Sequence, residues 1–444
     1  MRSLFILFMI CFPLCSLSLR IAVITDTHIG ENCTELTFDL CKPMRNLRDA
    51  VNHLNKLNGE VLIDGVFISG DLTSSALQDQ MEMVRTLLDP LEMPWFPLLG
   101  NHDSWPYIIQ SNGSFTQHDS PDGDQLFAQI FGDILKPSQL NSNSNSKQGY
   151  QISGFANQTC QNGDYPNIMT YHTNFKIQFN SLPSLSFLCL DWVARGSAYP
   201  YAGVGPEAEL HDYPCGTTDW LRNQLHQSNN RNNNVNNKNK NSKNNKDNNN
   251  NNSNNKDTNN NDYYFLVQHH PFHNREIFGP FGQNKIKNFT FDAYQDSVIQ
   301  GILSDYNHTP SNYLGVIAGH MHRWKRNMSA FTPFTAPSSS SSSASFASSF
   351  NDKEDDDDKD DRSQWQQLRE YETSASKGWD LDEKYTSAIT LLEFNGNTTT
   401  LNEDNEDDGI EIPILTNAFG YWLTPDSEWT NPPCYANDSV SIET

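Results

Sequence analysis

Five short segments of the sequence carry side chains that bind divalent metal ions or transfer protons. Each combines carboxylate, amide or imidazole groups within a few residues. Asp, Asn and His supply the oxygen and nitrogen ligands that zinc, manganese and iron accept in proteins. The segments are Asp26-Thr27-His28, Gly70-Asp71, Gly100-Asn101-His102-Asp103, His269-His270-Pro271 and Gly319-His320-Met321-His322.

The spacing within these segments suits a centre with two ions. The Asp-x-His pair places a carboxylate and an imidazole on one side of an extended loop, so both can reach one ion, and the His-x-His pair repeats that spacing. Asp71 offers two carboxylate oxygens, one for each ion, and Asn101 adds a neutral amide oxygen that limits negative charge. Paired divalent ions lower the pKa of bound water, so the expected chemistry is hydrolytic.

The elements that must position the first three segments alternate between strand and helix. Hydrophobic periodicity predicts a helix over Met44–Leu57, and Ser75 is expected to cap a second helix that runs to about Leu88. This alternation is typical of a parallel sheet with helical crossovers. Apolar runs predict the strands Leu19–Ile24, Val61–Ser69 and Trp95–Leu99.

The two histidine segments follow strands predicted over Tyr263–Gln268 and Tyr313–Ala318. All five segments therefore come directly after predicted strands. Open α/β sheets bind their ligands at the carboxyl ends of strands, so we expect the segments to meet there. The remaining predicted elements are strands over Ile168–Phe179, Ser186–Trp192 and Ser387–Phe394 and helices over Thr217–Gln227 and Asp292–Leu303.

The N-terminus has the order of a secretory signal peptide over residues 1–18. Arg2 precedes an apolar stretch from Leu4 to Leu14, and small residues follow at Ser16 and Ser18. An N-terminal anchor is the alternative, although the stretch is short for a membrane span. We therefore expect secretion, or delivery to the lysosomal or endosomal lumen, with no transmembrane anchor after processing.

Glycosylation sequons and cysteines agree with export. Because most sequons lie outside the Asn-rich tract, several are expected to carry glycans. Cys33 and Cys41 bracket one short loop and are the first disulfide expected, whereas Cys189 lies in an apolar strand and is read as a buried thiol. The sequons begin at Asn32, Asn112, Asn157, Asn251, Asn288, Asn307, Asn327, Asn397 and Asn437.

The composition limits the class of partner. A formal net charge of −24 over 444 residues argues against stable nucleic-acid binding, which needs Lys and Arg to neutralise phosphates. Residues 228–261 are almost pure Asn with some Lys and Asp, and residues 337–364 are Ser-rich and then acidic. Neither stretch has enough apolar residues to form a core, so both are predicted to be disordered insertions in one domain over residues 19–444.

Taken in order, the motifs D-x-H, G-D, G-N-H-D, H-H-P and G-H-x-H resemble those of the calcineurin-like metallophosphoesterase superfamily. The resemblance covers Ile21 to about Trp324, apart from the insertions. It implies an α/β fold, a four-layer sandwich of two mixed β-sheets flanked by helices, with the site at the edge of the sandwich.

The resemblance also implies a role for each residue. Asp26, His28 and His322 would bind one metal, Asn101, His269 and His320 the other, and Asp71 would bridge them. The family ligand lies two residues before the proline, which favours His269, with His270 as the alternative. His102 matches the catalytic histidine, and its neighbour Asp103 would orient it or cap a turn. Two further histidines, His211 and His273, lie in loops that could face the site.

The resemblance predicts a secreted phosphoesterase that hydrolyses phosphomono- or phosphodiesters by attack of a metal-bridging hydroxide. The ions would be zinc, manganese or iron; purple acid phosphatases carry a tyrosine where this chain has Ser74, so a tyrosinate-coloured iron site is not expected. The substrate is left open between a phosphomonoester, a lipid headgroup diester and a nucleotide. The alternative is a secreted binding protein on an inactive phosphoesterase scaffold.

Overall fold

The structure is a computed structural model, and it describes most of the predicted catalytic region. Residues 1–17 of the predicted signal peptide, both low-complexity insertions and His273 lie outside the described residues. The described residues are 18–31, 33–104, 107–109, 115–117, 123–136, 149–153, 159–161, 169–195, 208–225, 263–272, 277–278, 285–286, 291, 295, 298–299, 301–303, 313–320, 325–327, 370–372, 387–400, 409–423 and 429–430.

The described strands form two large sheets and three two-stranded ones. In chain order they are β1 (Ser18–Ile24), β2 (Gly65–Ser69), β3 (Trp95–Leu98), β4 (Tyr107–Ile109), β5 (Phe115–Gln117), β6 (Tyr150–Ser153), β7 (Thr159–Gln161), β8 (Met169–Tyr171), β9 (Phe175–Phe179), β10 (Leu185–Leu190), β11 (Tyr263–Gln268), β12 (Ile277–Phe278), β13 (Lys285–Ile286), β14 (Tyr313–Ala318), β15 (Lys325–Asn327), β16 (Glu370–Glu372), β17 (Ser387–Thr400), β18 (Gly409–Leu423) and β19 (Trp429–Thr430). The helices are α1 (Lys42–Glu60), α2 (Gln78–Leu88), α3 (Asn101–Ser104) and α4 (Gly123–Leu135), with further helical segments over 217–225 and 301–303 among the described residues.

Both large sheets are mixed. The first has the strand order β19-β18-β17-β1-β2-β3, and the second has the order β15-β16-β14-β11-β10-β9-β6. β1, β2 and β3 run parallel, and so do β10, β11 and β14, whereas β17 pairs antiparallel with β1. The expected architecture of two mixed sheets with flanking helices is therefore confirmed. Five of these parallel strands, β1, β2 and β3 in the first sheet and β11 and β14 in the second, carry the predicted metal-binding loops at their carboxyl ends.

Aromatic side chains fill the space between the two sheets. Phe67 of β2 contacts Phe187 of β10, with ring centroids 5.3 Å apart, and Phe394 of β17 contacts Phe265 of β11 at the same distance. These rings are fully buried. Close aromatic pairs add about 0.5–1.5 kcal/mol each beyond the area they bury, so the pairs fix one sheet against the other.

A second apolar cluster covers the opposite face of the second sheet. Leu188, Leu266 and Val316 point from β10, β11 and β14 toward Trp192 and the helical segment 217–225. Because both faces are covered, every residue of β10 and β11 is buried, as parallel strands require. Among the described residues, no helix combines the length and apolar character that a membrane span needs.

Several sequence predictions about element boundaries are wrong. β2 begins at Gly65 and not at Val61, and β17 continues to Thr400 beyond the predicted end at Phe394. Ser75 does not cap a helix, because its hydroxyl and backbone N–H pair with the Gln80 side chain, and α2 begins only at Gln78. The single strand predicted over Ile168–Phe179 is two strands in different sheets: β8 pairs with β7, β9 belongs to the second large sheet, and residues 172–174 connect them. The Asn174 side chain accepts a hydrogen bond there from the backbone of Asp191, an interaction that hydrophobic periodicity does not encode.

The cysteine predictions are confirmed for the described residues. Cys33 and Cys41 form a disulfide, and Cys189 is a buried free thiol. A second disulfide joins Cys160 to Cys215, which was not predicted because 55 residues separate the two in sequence.

Candidate metal centre

The loops that follow β1, β2, β3, β11 and β14 meet at one end of the sandwich. The backbone N–H of Asp26 donates to the carbonyl of Gly70, and that of His28 donates to the carbonyl of Asp71. Across the two sheets, the Ser69 hydroxyl donates to the Gln268 carbonyl. These bonds join segments as far apart as 199 residues in sequence, so the predicted clustering at the carboxyl ends of the strands is observed.

Several residues of these loops have strained backbone conformations. Asp26, His28, Asp71 and His320 have φ between 45° and 70°, in the left-handed region that residues other than glycine rarely adopt. Such residues cost about 1–3 kcal/mol each and are concentrated at functional sites. Their recurrence at four metal-ligand candidates supports a functional reason for the loop geometry.

Two glycines allow the loops to approach one another closely. A Cβ on Gly100 would overlap the backbone nitrogen of Asp71, and one on Gly319 would overlap the Thr25 hydroxyl. Each glycine precedes a candidate ligand, Asn101 or His320. The glycines in the motifs are thus required for packing one ligand loop on another.

One ring nitrogen of His269 lies among atoms from three other loops. Its Nε2 is 3.1 Å from Asn101 Oδ1, 3.3 Å from Asp71 Oδ1 and 3.2 Å from His320 Nδ1. Because His269 Nδ1 lies 2.8 Å from the Ser69 carbonyl, which can only accept, Nδ1 carries the proton and the Nε2 lone pair faces the other ligands. Lone pairs that converge in this way repel one another unless a cation lies between them, so these residues fit a metal ion.

The other oxygen of Asp71 faces a different histidine. Asp71 Oδ2 lies 3.5 Å from His28 Nε2, and Asp26 Oδ1 lies 3.9 Å from the same nitrogen. The carboxylate therefore has one oxygen toward His269 and one toward His28, as a ligand shared by two ions must. His322, predicted to complete the His28 side, lies outside the described residues.

The charges of this cluster are strongly coupled in the metal-free chain. Burial alone raises the pKa of Asp71, but the positive charges of His269 and His102 outweigh burial and hold it well below its usual range. Burial alone lowers the pKa of His269, yet the Asp71 carboxylate raises it to about 9. A proton on His269 thus takes the place that a cation would otherwise fill.

His102 lies at the edge of the cluster and is partly exposed, whereas the other described candidate residues are buried. Its ring lies edge-on to that of His28, with centroids 4.6 Å apart. His102 Nδ1 is 2.9 Å from the Ser74 carbonyl, which can only accept, so Nδ1 carries a proton and the ring is held in one orientation. Sequence reasoning did not find Ser74 in this role, because it acts through its backbone.

Asp103 positions the loop after β2. Its carboxylate accepts hydrogen bonds from the backbone N–H groups of Leu72, Thr73 and Gly100, and from the Thr73 hydroxyl. Burial and the charge of Asp71 raise the pKa of Asp103 to about 6. Of the two roles left open for Asp103, these bonds match the structural one, in which the residue holds the loop that presents Asp71.

His270 and His211 occupy different surroundings. His270 is fully buried beside His269 and His320, and burial followed by their positive charges holds its pKa well below the usual range. His211 does not face the metal loops: it is buried beside His172 with ring centroids 4.6 Å apart, in a cluster around Arg195.

The calcineurin-like phosphoesterase family model matches residues 19–324. The chain is also similar to a dimetal phosphatase from Danio rerio, with 12% identity over 90% of this chain and 99% of that chain and a TM-score of 0.40. The calcineurin-like phosphoesterase YfkN from Bacillus subtilis is 10% identical over 95% of this chain and 95% of that chain, with a TM-score of 0.34. A purple acid phosphatase from yellow lupin seeds is 11% identical over 70% of this chain and 38% of that chain, with a TM-score of 0.30. No curated protein matches the sequence. Likenesses this low carry no argument about activity or substrate, but the family model covers more than half of the chain. The chain therefore belongs to the calcineurin-like phosphoesterase family.

Proposed function

We propose that the protein is a secreted dinuclear-metal phosphoesterase that hydrolyses phosphomono- or phosphodiesters. The observation that carries this proposal is the position of the Asp71 carboxylate between two histidines. Its Oδ1 lies 3.3 Å from His269 Nε2, and its Oδ2 lies 3.5 Å from His28 Nε2. Asp26, His28 and His322 are the proposed ligands on one side, and Asn101, His269 and His320 those on the other. Bound there, two divalent ions would supply an activated water and neutralise charge on the phosphoryl oxygens.

His102 is the proposed catalytic residue. Its Nδ1 donates a hydrogen bond to the Ser74 carbonyl, which fixes the orientation of the ring. In this proposal, Nε2 is the atom that gives or takes a proton. Its partial exposure lets a substrate reach it, unlike the buried ligands. In its charged form, the ring would donate a proton or a hydrogen bond to the leaving oxygen, an effect of about 10²–10⁴-fold in rate.

The test is hydrolysis of an aryl phosphate monoester and an aryl phosphodiester with added Zn²⁺ or Mn²⁺. We expect turnover that a chelator abolishes, and a His102→Ala rate about 10²–10⁴-fold lower with unchanged metal content. His53→Gln, on helix α1, is the matched control and should retain the wild-type rate. The ratio of the two wild-type rates assigns monoester or diester preference. No turnover of either substrate with either ion would favour the binding protein on an inactive scaffold.

The compartment is part of the proposal and has its own support. Structural disulfides persist in oxidising compartments, and the chain has two among its described residues. Expression of the full chain in a eukaryotic host should yield protein in the medium or in the lysosomal lumen, with a mobility shift after endoglycosidase treatment. Accumulation of an unglycosylated protein in the cytosol would contradict this placement.

A further inference from the structure

His270 is a third imidazole beside the proposed second ion. Its ring centroid is 4.9 Å from that of His269 and 4.6 Å from that of His320. One ring nitrogen from each of these three histidines lies within 4.8 Å of the others. The three rings come from only two loops, those after β11 and β14, so their proximity follows from the parallel pairing of these strands.

The burial of His270 has no explanation within the described residues. The side chain is fully buried, and neither of its ring nitrogens has a hydrogen-bond partner there. An unsatisfied buried polar group destabilises the fold, so a phenylalanine would be the more stable residue in this buried position. The backbone is nevertheless anchored, because the His270 carbonyl accepts a hydrogen bond of 2.7 Å from the Gln268 side chain.

We propose that His270 is an additional ligand of the second ion, alongside His269 and His320. This inference rests on the proposed function, since it requires the dinuclear centre. The second ion would then have three imidazole nitrogens, the Asn101 amide oxygen and one oxygen of Asp71. The other ion would have only His28 and His322 as imidazole ligands.

This asymmetry determines metal preference. Imidazole suits zinc, iron, nickel and copper, whereas carboxylate and carbonyl oxygens suit manganese and magnesium. The nitrogen-rich second site is therefore expected to select Zn²⁺ or iron over Mn²⁺, and the oxygen-richer first site to discriminate less. The two ions in the working enzyme would differ in kind or in exchange rate.

The variant His270→Phe separates a ligand from a packing residue. We expect one of the two Zn²⁺ ions to bind at least about 10-fold more weakly, with a smaller loss for Mn²⁺. The metal-free variant should melt no lower than the metal-free wild type, because the substitution removes two unsatisfied nitrogens. His211→Phe, which alters a fully buried histidine of the Arg195 cluster, is the matched control and should leave both affinities unchanged.

Wild-type affinity for both ions in His270→Phe would overturn the inference, whatever the melting temperature of the variant. X-ray absorption of the zinc-loaded wild type provides a test that does not depend on a variant. It should detect about five imidazoles over the two ions, and a count of about four would contradict a role for His270. If the wild type binds no ion at all, the proposed phosphoesterase function fails. If the wild type binds two ions with only four imidazoles, only the role of His270 fails.

Discussion

Two buried clusters of charged and polar side chains lie side by side in this protein, and they balance their charge differently. Among the described residues, the metal-centre loops bring together Asp26 and Asp71 with histidines as the neutralising groups. The Arg195 cluster, which we define as Asp124, His172, Asp191, Arg195 and His211, contains its own permanent cation. Asp191 follows β10 as His269 follows β11, and Leu190 pairs with Gln268 in the sheet, so the clusters occupy neighbouring strand ends.

The charges of the two Arg195-cluster carboxylates are balanced by a cation of the chain itself. Arg195 is fully buried and lies 2.8 Å from Asp191 and 3.4 Å from Asp124. Burial alone raises the pKa of Asp191, but the charge of Arg195 holds it below its usual range. A carboxylate pair that is neutralised by a guanidinium needs no ion, whereas one that is surrounded by imidazole lone pairs does. The difference indicates which cluster is structural and which is available for chemistry.

Asp71→Asn should have the largest effect, because it removes the charge that both ions share while keeping the side-chain shape. We expect kcat/KM to fall at least about 10³-fold, equivalent to about 4 kcal/mol, with loss of bound metal. Metal analysis and initial rates test this, with Asp212→Asn as the exposed control on the Arg222 ion pair. Retention of both ions by Asp71→Asn would exclude Asp71 as the shared ligand.

Arg195→Met should instead destabilise the fold, whether or not metal is present. Removing one partner of a buried ion pair costs about 3–5 kcal/mol, because two carboxylates remain buried without their cation. Urea denaturation of the metal-free protein measures the loss. Arg222→Met breaks an exposed pair and should cost less than about 1 kcal/mol. Equal effects of the two substitutions would contradict a structural role for the Arg195 cluster.

The stability of the metal-free protein should depend on His172 at mildly acidic pH. Burial lowers the pKa of His172 to about 4 in the folded chain, against 6.5 as its ordinary value. As pH falls from 6.5 toward 4, the unfolded chain therefore binds a proton that the folded chain does not, and stability is lost. His172→Gln cannot titrate, so its unfolding free energy should fall about 2 kcal/mol less than that of the wild type between pH 7 and pH 5. Parallel pH profiles would show that the pKa of His172 is the same in the folded and unfolded chain.

Gln268 links the His270 loop to Trp192, the residue after Asp191 of the Arg195 cluster, and its substitution should have the smallest effect on activity. Its side chain accepts a hydrogen bond from the Trp192 indole and donates one to the His270 carbonyl. Gln268→Leu leaves both groups unsatisfied, at a cost of about 1–3 kcal/mol, and frees the backbone of the His270 loop. We expect a modest loss of stability together with weaker Zn²⁺ binding, measured by denaturation and competition titration. Loss of stability with unchanged Zn²⁺ affinity would mean that the two clusters are independent.

The sequence alone predicted the elements that are built from local patterns. Tyr263–Gln268 and Tyr313–Ala318 were predicted to the residue, because uninterrupted apolar runs are required where both faces of a strand are covered. The candidate metal-binding motifs could also be read directly, since the spacing of Asp26 and His28 or the glycine before Asp71 is a property of a few adjacent residues. The Cys33–Cys41 disulfide was predicted for the same reason, as it closes one short loop.

Only the tertiary structure decided which side chains share an environment. It brought Asp71 to the backbone of His102 and the Ser74 carbonyl to the His102 ring. It also buried Arg195 against Asp124, 71 residues away in sequence. Such partners are chosen by sheet pairing and by the packing of one sheet on the other, which place residues together regardless of their separation along the chain. The residue types therefore specify which reactions the chain could support. The fold decides which buried carboxylates lie beside a positively charged side chain such as Arg195, and which lie among imidazoles that could bind a metal ion.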